Sequence, residues 1–377
     1  MKKVQKVDGA IVTTTTNNNY GNLAQRYALQ RFLEKSGYNF ISYYFYGFYW
    51  RVFFVRLSVF TYIPRNIVAK LFKQNPQGSS GIYNYRKLSI FANKRIKQEL
   101  FLPFIHRKYK TYIIGSDQNL GTPIKEEFFT PWQNFLLRFV KWDARRISYA
   151  SSFGKSKLNK GTEFIQGDDA KSLMQKFDAI SIREKSGVDL AKEIWEVDAR
   201  QVVDPALLLE KEDYSMLIDN PTTKLDKTKP VFYYLLRVKK DSELFSFTQK
   251  IASDLALDVD GSLTYDTKRL MPMEQWLQGF RDSKFVVTNS FHGVIFSLIN
   301  NTDFVVLCRR KDENGAVRFQ DILGKLGLSE RILFDDQFGD FDVQKLTPIH
   351  WKSVNKSVSS LREDSARWLL SQVKGEL

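Results

Sequence analysis

The sequence predicts an α/β protein of two doubly wound, Rossmann-like domains facing each other across a cleft. Three observations carry this expectation. The chain opens as strand, polar turn, helix and strand. The same alternation restarts after a polar stretch that begins near residue 210. The 377 residues include 43% hydrophobic and 14% aromatic side chains, enough for two packed cores and too many for a disordered chain.

The elements follow in order. "VDGAIVTTTT" is β-rich, and "NNNYGN" (17–22) breaks it with turn residues. "LAQRYALQRFLEKSG" sets Leu23, Tyr27, Leu29, Phe32 and Leu33 at helical spacing and stops on Gly37. "YNFISYYF" is a strand again. Further strand-like runs are "YKTYIIGSDQ", "RRISYASSFG", "FDAISIRE" and "ARQVVDPALLL", with helical patterns between several of them. Residues 210–230, polar, charged and Pro-containing, read as a linker. "VFYYLLRV", "KFVVTNS" and "DFVVLCRR" then read as strands, and "SELFSFTQKIASDLAL", "MEQWLQGFRDS" and "HGVIFSLINN" as helices. "SVSSLREDSARWLLSQVKGEL" closes the chain as an amphipathic helix, with Leu361, Trp368 and Leu369 on one side. The domain boundary is placed at 212/213, with the last helix packing back on residues 1–212.

Composition excludes several classes. A single cysteine, Cys308, rules out a disulfide framework and a cysteine metal site, and fits a reducing cytoplasm. The N-terminal apolar run is too short for a signal peptide. No window reaches the roughly 18 to 20 apolar residues of a membrane span. The net charge of +15 is unevenly spread: residues 51–110 hold 13 Lys and Arg against one acid, Glu99. Just before and within this run lies "ISYYFYGFYWRVFFVRLSVFTYIP". Aromatics suit the headgroup zone and cations suit anionic lipid, so about 41–110 reads either as a membrane-surface insert or as a solvated basic face. No nucleic-acid-binding motif accompanies it.

Four polar breaks fall at strand ends: 17–22, "GSDQN" (115–119), "SSFGK" (151–155) and "TNSFHG" (288–293). Parallel α/β sheets bind ligands there, and a helix start offers N–H groups to an anion. None of the four is a G-x-G-x-x-G or a P-loop, so an anionic ligand is expected without a standard nucleotide fingerprint. H-E-x-x-H and G-x-S-x-G are absent, and His106, His292 and His350 lack metal-ligand spacing. His106 reads as a surface residue and His350 as loop or cap. His292 starts a helix at a strand end, which leaves two readings open: a cap, or a group that handles protons.

The ordered blocks "NYGNLAQRYALQRFLEKSGY", "YIIGSDQN", "ISYASSFG", "FDAISIREKSGVDL", "VVDPALLL" and "TNSFHGVIFSLINNTDFVVL" resemble the polysaccharide pyruvyltransferase family. The resemblance implies a GT-B-like fold. It also implies transfer of pyruvyl from phosphoenolpyruvate to a sugar of a surface polysaccharide or its lipid-linked precursor, giving a cyclic ketal and phosphate. Residues 1–212 become the acceptor side and 213–377 the phosphoenolpyruvate side. Motif by motif, His292 and Arg183 match as catalytic residues. Arg183, Ser290, His292, Gly293, Arg310, Lys311 and Arg318 become phosphoenolpyruvate ligands. Asn19, Tyr20, Asn22, Asp117 and Gln118 become acceptor ligands. Neither a metal nor a cofactor is implied. After G-S-D-Q this chain departs from the usual Val-Trp with Asn119 and Leu120. The rival readings are a GT-B glycosyltransferase using a nucleotide sugar and a non-catalytic sugar- or lipid-binding scaffold. The expected location is cytoplasmic, and peripheral at the inner membrane face on the membrane reading. On that reading, neutral residues in place of Arg51, Arg56, Arg65 and Lys70 weaken sedimentation with anionic vesicles; unchanged sedimentation would refute it.

Overall fold

The computed structural model describes residues 6–13, 19–45, 79–101, 108–118, 120, 132–158, 162–264 and 271–375. His106 and most of the basic aromatic stretch, including Arg51, Arg56, Arg65 and Lys70, lie outside these residues. The chain divides into two compact units: unit 1 is Met1–Leu208 with Leu361–Leu377, and unit 2 is Leu209–Ser360.

In unit 1 the elements are β1 (Gly9–Val12), α1 (Tyr20–Lys35), β2 (Phe40–Phe45), α2 (Ser79–Arg95), β3 (Gln98–Phe101) and β4 (Thr111–Asp117). β5 (Arg145–Ser151), α3 (Asp168–Met174), β6 (Ala179–Ile182), α4 (Lys185–Trp195) and β7 (Arg200–Gln201) follow. The seven strands form one sheet in the order β3-β2-β1-β4-β5-β6-β7, every pair parallel. Its inner strands are apolar on both faces, because helices cover a parallel sheet on both sides. β1 is buried throughout.

Unit 2 holds α5 (Lys211–Asp219), β8 (Val231–Leu235), α6 (Glu243–Asp254), β9 (Val259–Leu263), α7 (Met273–Asp282) and β10 (Phe285–Thr288). Then come α8 (Phe291–Asn300), β11 (Asp303–Cys308), α9 (Val317–Lys325) and β12 (Ile332–Phe334). Its parallel sheet runs β12-β11-β10-β8-β9. α8 is buried along its whole length, as its nearly continuous apolar sequence requires. Trp276 of α7 packs edge-on against Tyr234, Phe280 and Phe296, tying α7 and α8 to β8.

Two expectations change. Residues 210–230 are not all linker: Lys211–Asp219 form α5, started by a capping box between Glu210 and Asp213. Tyr214, Leu217 and Ile218 give it a buried stripe at i, i+3 and i+4, which the surrounding charge masks. "VVDPALLL" is not a strand beyond Gln201. The Oδ1 of Asp204 accepts the Ala206 N–H at 2.9 Å, and Pro205 opens a 3-10 turn where no N–H is needed. The basic segment also contributes regular structure, α2 and the edge strand β3, whose cations mask an apolar side with Leu88, Phe91 and Ala92 buried.

The final helix, α10, runs Trp351–Lys374. The backbone oxygen of His350 accepts from Ser353 and Val354 N–H groups, which makes His350 its start. Within unit 1, Arg362 donates to the Leu207 carbonyl at 2.6 Å and Val203 N–H donates to Ser365 Oγ at 3.0 Å. Leu369 is fully buried there, and Trp368 lies 6.4 Å from Tyr149. Leu369→Ala should therefore cost about 2–5 kcal/mol in urea unfolding. A loss under about 1 kcal/mol would mean that α10 is dispensable to unit 1.

Candidate active site

Each sheet has a point where strand order reverses. In unit 1 this lies between β1 and β4; in unit 2 it lies between β8 and β10. Helices leave in opposite directions there and open a crevice at the carboxyl ends of the strands. In both units a polar side chain spans the reversal.

In unit 1 the bridge is Asn22 to Asp117. Asn19 caps α1, its side chain accepting from Asn22 N–H at 3.2 Å. Asn22 Nδ2 donates to Asp117 Oδ2 at 3.1 Å, and Asp117 Oδ1 accepts from Gln118 N–H at 2.8 Å. Thr13 Oγ1 adds a bond to the Ser116 carbonyl at 3.1 Å. Gly115 is required here: its φ is +121°, and a Cβ would overlap the Tyr149 carbonyl oxygen. Asn19, Asn22, Asp117 and Gln118 thus come together. Tyr20, the first residue of α1, is buried.

Arg183 stands elsewhere in unit 1. Its Nη1 donates to Asp204 Oδ2 at 2.6 Å and its Nη2 to Ser152 Oγ at 3.0 Å. Gln25 Nε2 shares the same Asp204 oxygen at 2.6 Å. Glu184, almost fully buried, lies 3.9 Å from Arg183 Nε. One Glu184 oxygen accepts from Ser152 Oγ at 3.0 Å, Phe153 N–H at 2.7 Å and Gly154 N–H at 3.1 Å. The "SSFGK" loop therefore does cradle an anion, and that anion is the protein's own carboxylate. This ion network joins α1, the loops after β5 and β6, and the turn after β7.

In unit 2, Thr288 Oγ1 donates to the Tyr234 carbonyl at 2.7 Å and accepts from Ser290 N–H at 3.1 Å. Asn289 spans to the end of β8: its Oδ1 accepts from Leu236 N–H at 2.6 Å, and its Nδ2 donates to the Leu236 carbonyl at 3.0 Å. Ser290 then begins α8. Gly293 lets α8 lie on β10, since a Cβ there would overlap Thr288. The first N–H groups of α8, at Phe291, His292 and Gly293, have no acceptor within the helix. His292 is 8% exposed, with the Phe291 ring edge-on at 5.9 Å. The Arg318 guanidinium lies over that same Phe291 ring at 5.5 Å. Ser290, His292, Gly293 and Arg318 are thus one neighbourhood, with Phe291 as its spacer.

A family model described as polysaccharide pyruvyl transferase matches residues 19–307. The chain belongs to the polysaccharide pyruvyl transferase family. The match runs from the cap of α1 to the penultimate residue of β11, and so includes Arg183 and His292 but not Arg310, Lys311 or Arg318. No curated protein sequence matches the chain. Among solved structures, it is similar to Arabidopsis thaliana UGT89C1 complexed with UDP-L-rhamnose, at 9% identity and TM-score 0.49, over 98% of this chain and 100% of that one. Acinetobacter baumannii MurG is similar at 6% identity and TM-score 0.37, over 98% and 99%. E. coli heptosyltransferase WaaC with ADP is similar at 10% identity and TM-score 0.38, over 94% and 99%. Likeness this slight says nothing of chemistry.

This pyruvyl transferase places its remaining candidates unevenly. Lys311 is exposed, beyond β11. Arg310 stacks on Phe334 at 3.8 Å and forks onto both Asp336 oxygens at 3.0 and 3.1 Å, so its guanidinium already holds a carboxylate. Cys308 ends β11 nearby. Burial, then the charges of Asp312 and Asp335, push its thiol up to about 12, which leaves it protonated and inert at neutral pH. Among the described residues no group of three or more His, Cys, Asp or Glu is placed to hold a metal ion. Sequence patterns missed Asp204, Glu184 and Asn289. Only the capping position of Asp204 before Pro205 and the lone Asn after a strand hinted at them. The buried pair yields a stability test. Asp204→Ala strands the Arg183 charge and should cost about 3–5 kcal/mol in denaturant unfolding. Asp364→Ala, which breaks the half-exposed pair with Arg200, should cost under about 1 kcal/mol. Equal losses would deny the network its structural role.

Proposed function

We propose that the protein transfers the pyruvyl group of phosphoenolpyruvate to two hydroxyls of a saccharide, forming a cyclic ketal and releasing phosphate. The observation that carries the reading is His292 at the first turn of α8, at the strand-order reversal of unit 2, with Arg318 across Phe291. Phosphoenolpyruvate carries a carboxylate and a phosphate. Helix N–H groups and a guanidinium suit such oxyanions, and imidazole suits proton transfer near neutral pH.

The chemistry follows from those groups. A proton reaches C3 of the enol, and positive charge develops at C2. A sugar hydroxyl attacks C2 and loses its proton. The C2–O bond to phosphate breaks, and a second hydroxyl closes the ring with loss of its own proton. His292 supplies the first proton or, as imidazolium, holds the departing phosphate. The N–H groups of α8 and the Arg318 guanidinium offset the phosphate charge with no reorganisation. Ser290 and Gly293 set the turn that brings those N–H groups to the ligand, and Lys311 adds cationic charge. Arg183 acts as a positioning residue, holding the unit 1 loops through Asp204 and Ser152. Asn19, Asn22, Asp117 and Gln118 offer hydroxyl-binding groups to the acceptor. The acceptor is a surface polysaccharide or its lipid-diphosphate precursor. Among the described residues no helix is long and apolar enough to cross a membrane. Contact with a lipid-linked acceptor would then fall to a peripheral surface, for which the basic stretch is the candidate.

The test is incubation with phosphoenolpyruvate and a panel of lipid-linked saccharides, followed by phosphate release and a mass gain on the sugar. His292→Ala should lower turnover by roughly 10²–10⁴-fold. Full activity in that variant would remove His292 from the chemistry. Nucleotide release from a nucleotide sugar, without phosphate from phosphoenolpyruvate, would replace the reading with glycosyl transfer.

A further inference from the structure

Arg237 is one residue beyond the Leu236 that Asn289 grips. Its φ is +56°, in the left-handed region that glycine occupies without strain. The backbone around it is pinned from both sides. Asn289, after β10, holds both polar backbone groups of Leu236. Thr264, after β9, accepts the Arg237 N–H at 2.8 Å and donates its own N–H to the Leu235 carbonyl at 3.1 Å. Val238, the next residue, is buried. The side chain of Arg237 therefore starts from a fixed point, and it is exposed. Among the described residues no carboxylate pairs with it, unlike Arg183, Arg200, Arg281 and Arg310.

Its place is specific. The sheet register ends with Tyr234 level with Thr288, and just past it Asn289 bonds to Leu236. Adjacent strands are about 4.8 Å apart. Arg237 thus leaves the sheet beside the start of α8, at the order reversal of unit 2. The N–H groups at the start of one helix suit one oxyanion, whereas the donor of the proposed reaction carries two. The second calls for a cation not already committed to an acid, on a backbone that does not need to be ordered on binding.

We propose that Arg237 is a donor-binding residue: its guanidinium pairs with an oxyanion of phosphoenolpyruvate at the β8–β10 crevice, and Asn289 is the positioning residue that fixes the turn presenting it. The assignment rests on the pyruvyl-transfer reading for the identity of the anion.

The test compares Arg237→Gly, Arg237→Ala and Arg237→Lys with wild type. Glycine relieves the left-handed strain, so the thermal midpoint of Arg237→Gly without ligand should equal or exceed that of wild type. The same variant should raise KM for phosphoenolpyruvate by about tenfold or more, the size of one lost charge-assisted bond. KM for the saccharide should hold within about twofold. Lysine should recover part of the loss, because it keeps the charge without the fork. If the ion held is the phosphate, inhibition by inorganic phosphate weakens in parallel; if it is the carboxylate, inhibition by pyruvate weakens instead. Donor KM unchanged in both Arg237→Gly and Arg237→Ala overturns the proposal. Thermal protection by phosphoenolpyruvate, without turnover, separates the two readings. A wild type that is protected but releases no phosphate with any saccharide undermines the reaction. Protection equal in wild type and Arg237→Gly undermines Arg237 alone.

Discussion

The structure depends on one constraint: where strand order reverses in a parallel sheet, the connections leaving the two paired strands go to opposite faces and open a crevice at their carboxyl ends. The loops on either side of that crevice have no ladder of their own, so their polar groups need other partners. This chain meets the constraint with side chains. Asn22 reaches Asp117 across the β1–β4 reversal. Asn289 reaches both polar groups of Leu236 across the β8–β10 reversal. Each bond stiffens the loops from which the candidate ligand groups project.

The two units use charge differently. Unit 1 buries it. Arg183 pairs with Asp204 and lies beside Glu184, whose Oε1 accepts the Phe153 and Gly154 N–H groups, and all three side chains are buried. Such networks specify loop geometry more than they add stability. Unit 2 keeps cations near the surface of its crevice end. Arg318 rides on Phe291, and Arg237 stands exposed on a pinned turn. An aromatic ring lies beneath the first, and a pinned backbone fixes the start of the second. That difference separates a buried, ion-paired arginine from one nearer the surface, although a motif treats them alike.

Cys308 shows the same logic. Arg310 and Arg318 pull its thiol down, yet burial and the charges of Asp312 and Asp335 win, and the group stays protonated. The end of β11 is therefore not uniformly cationic. Asp336 holds the fork of Arg310 and Asp335 accepts its backbone N–H, so the acids thin out the positive field there.

Much of this was legible in the residues alone. The alternation of strand and helix and the place of His292 at a strand end follow from hydrophobic period and turn chemistry, which are local. The helix at Lys211–Asp219 was not legible, because three apolar residues among charges resemble a linker until packing selects them. The partner of Arg183 was not legible either. Asp204 lies 21 residues away and Gln25 a further 179 from Asp204, distances no periodic pattern spans. The sequence by itself determined most of the strands and helices and that a histidine starts one helix. Only the tertiary structure decided which strand ends are neighbours, since pairing Leu236 with Asn289 requires β10 to cross back beside β8. That choice is made by the burial of whole sheet faces, so it buries Arg183 against Asp204 and leaves Arg237 exposed beside the β8–β10 reversal.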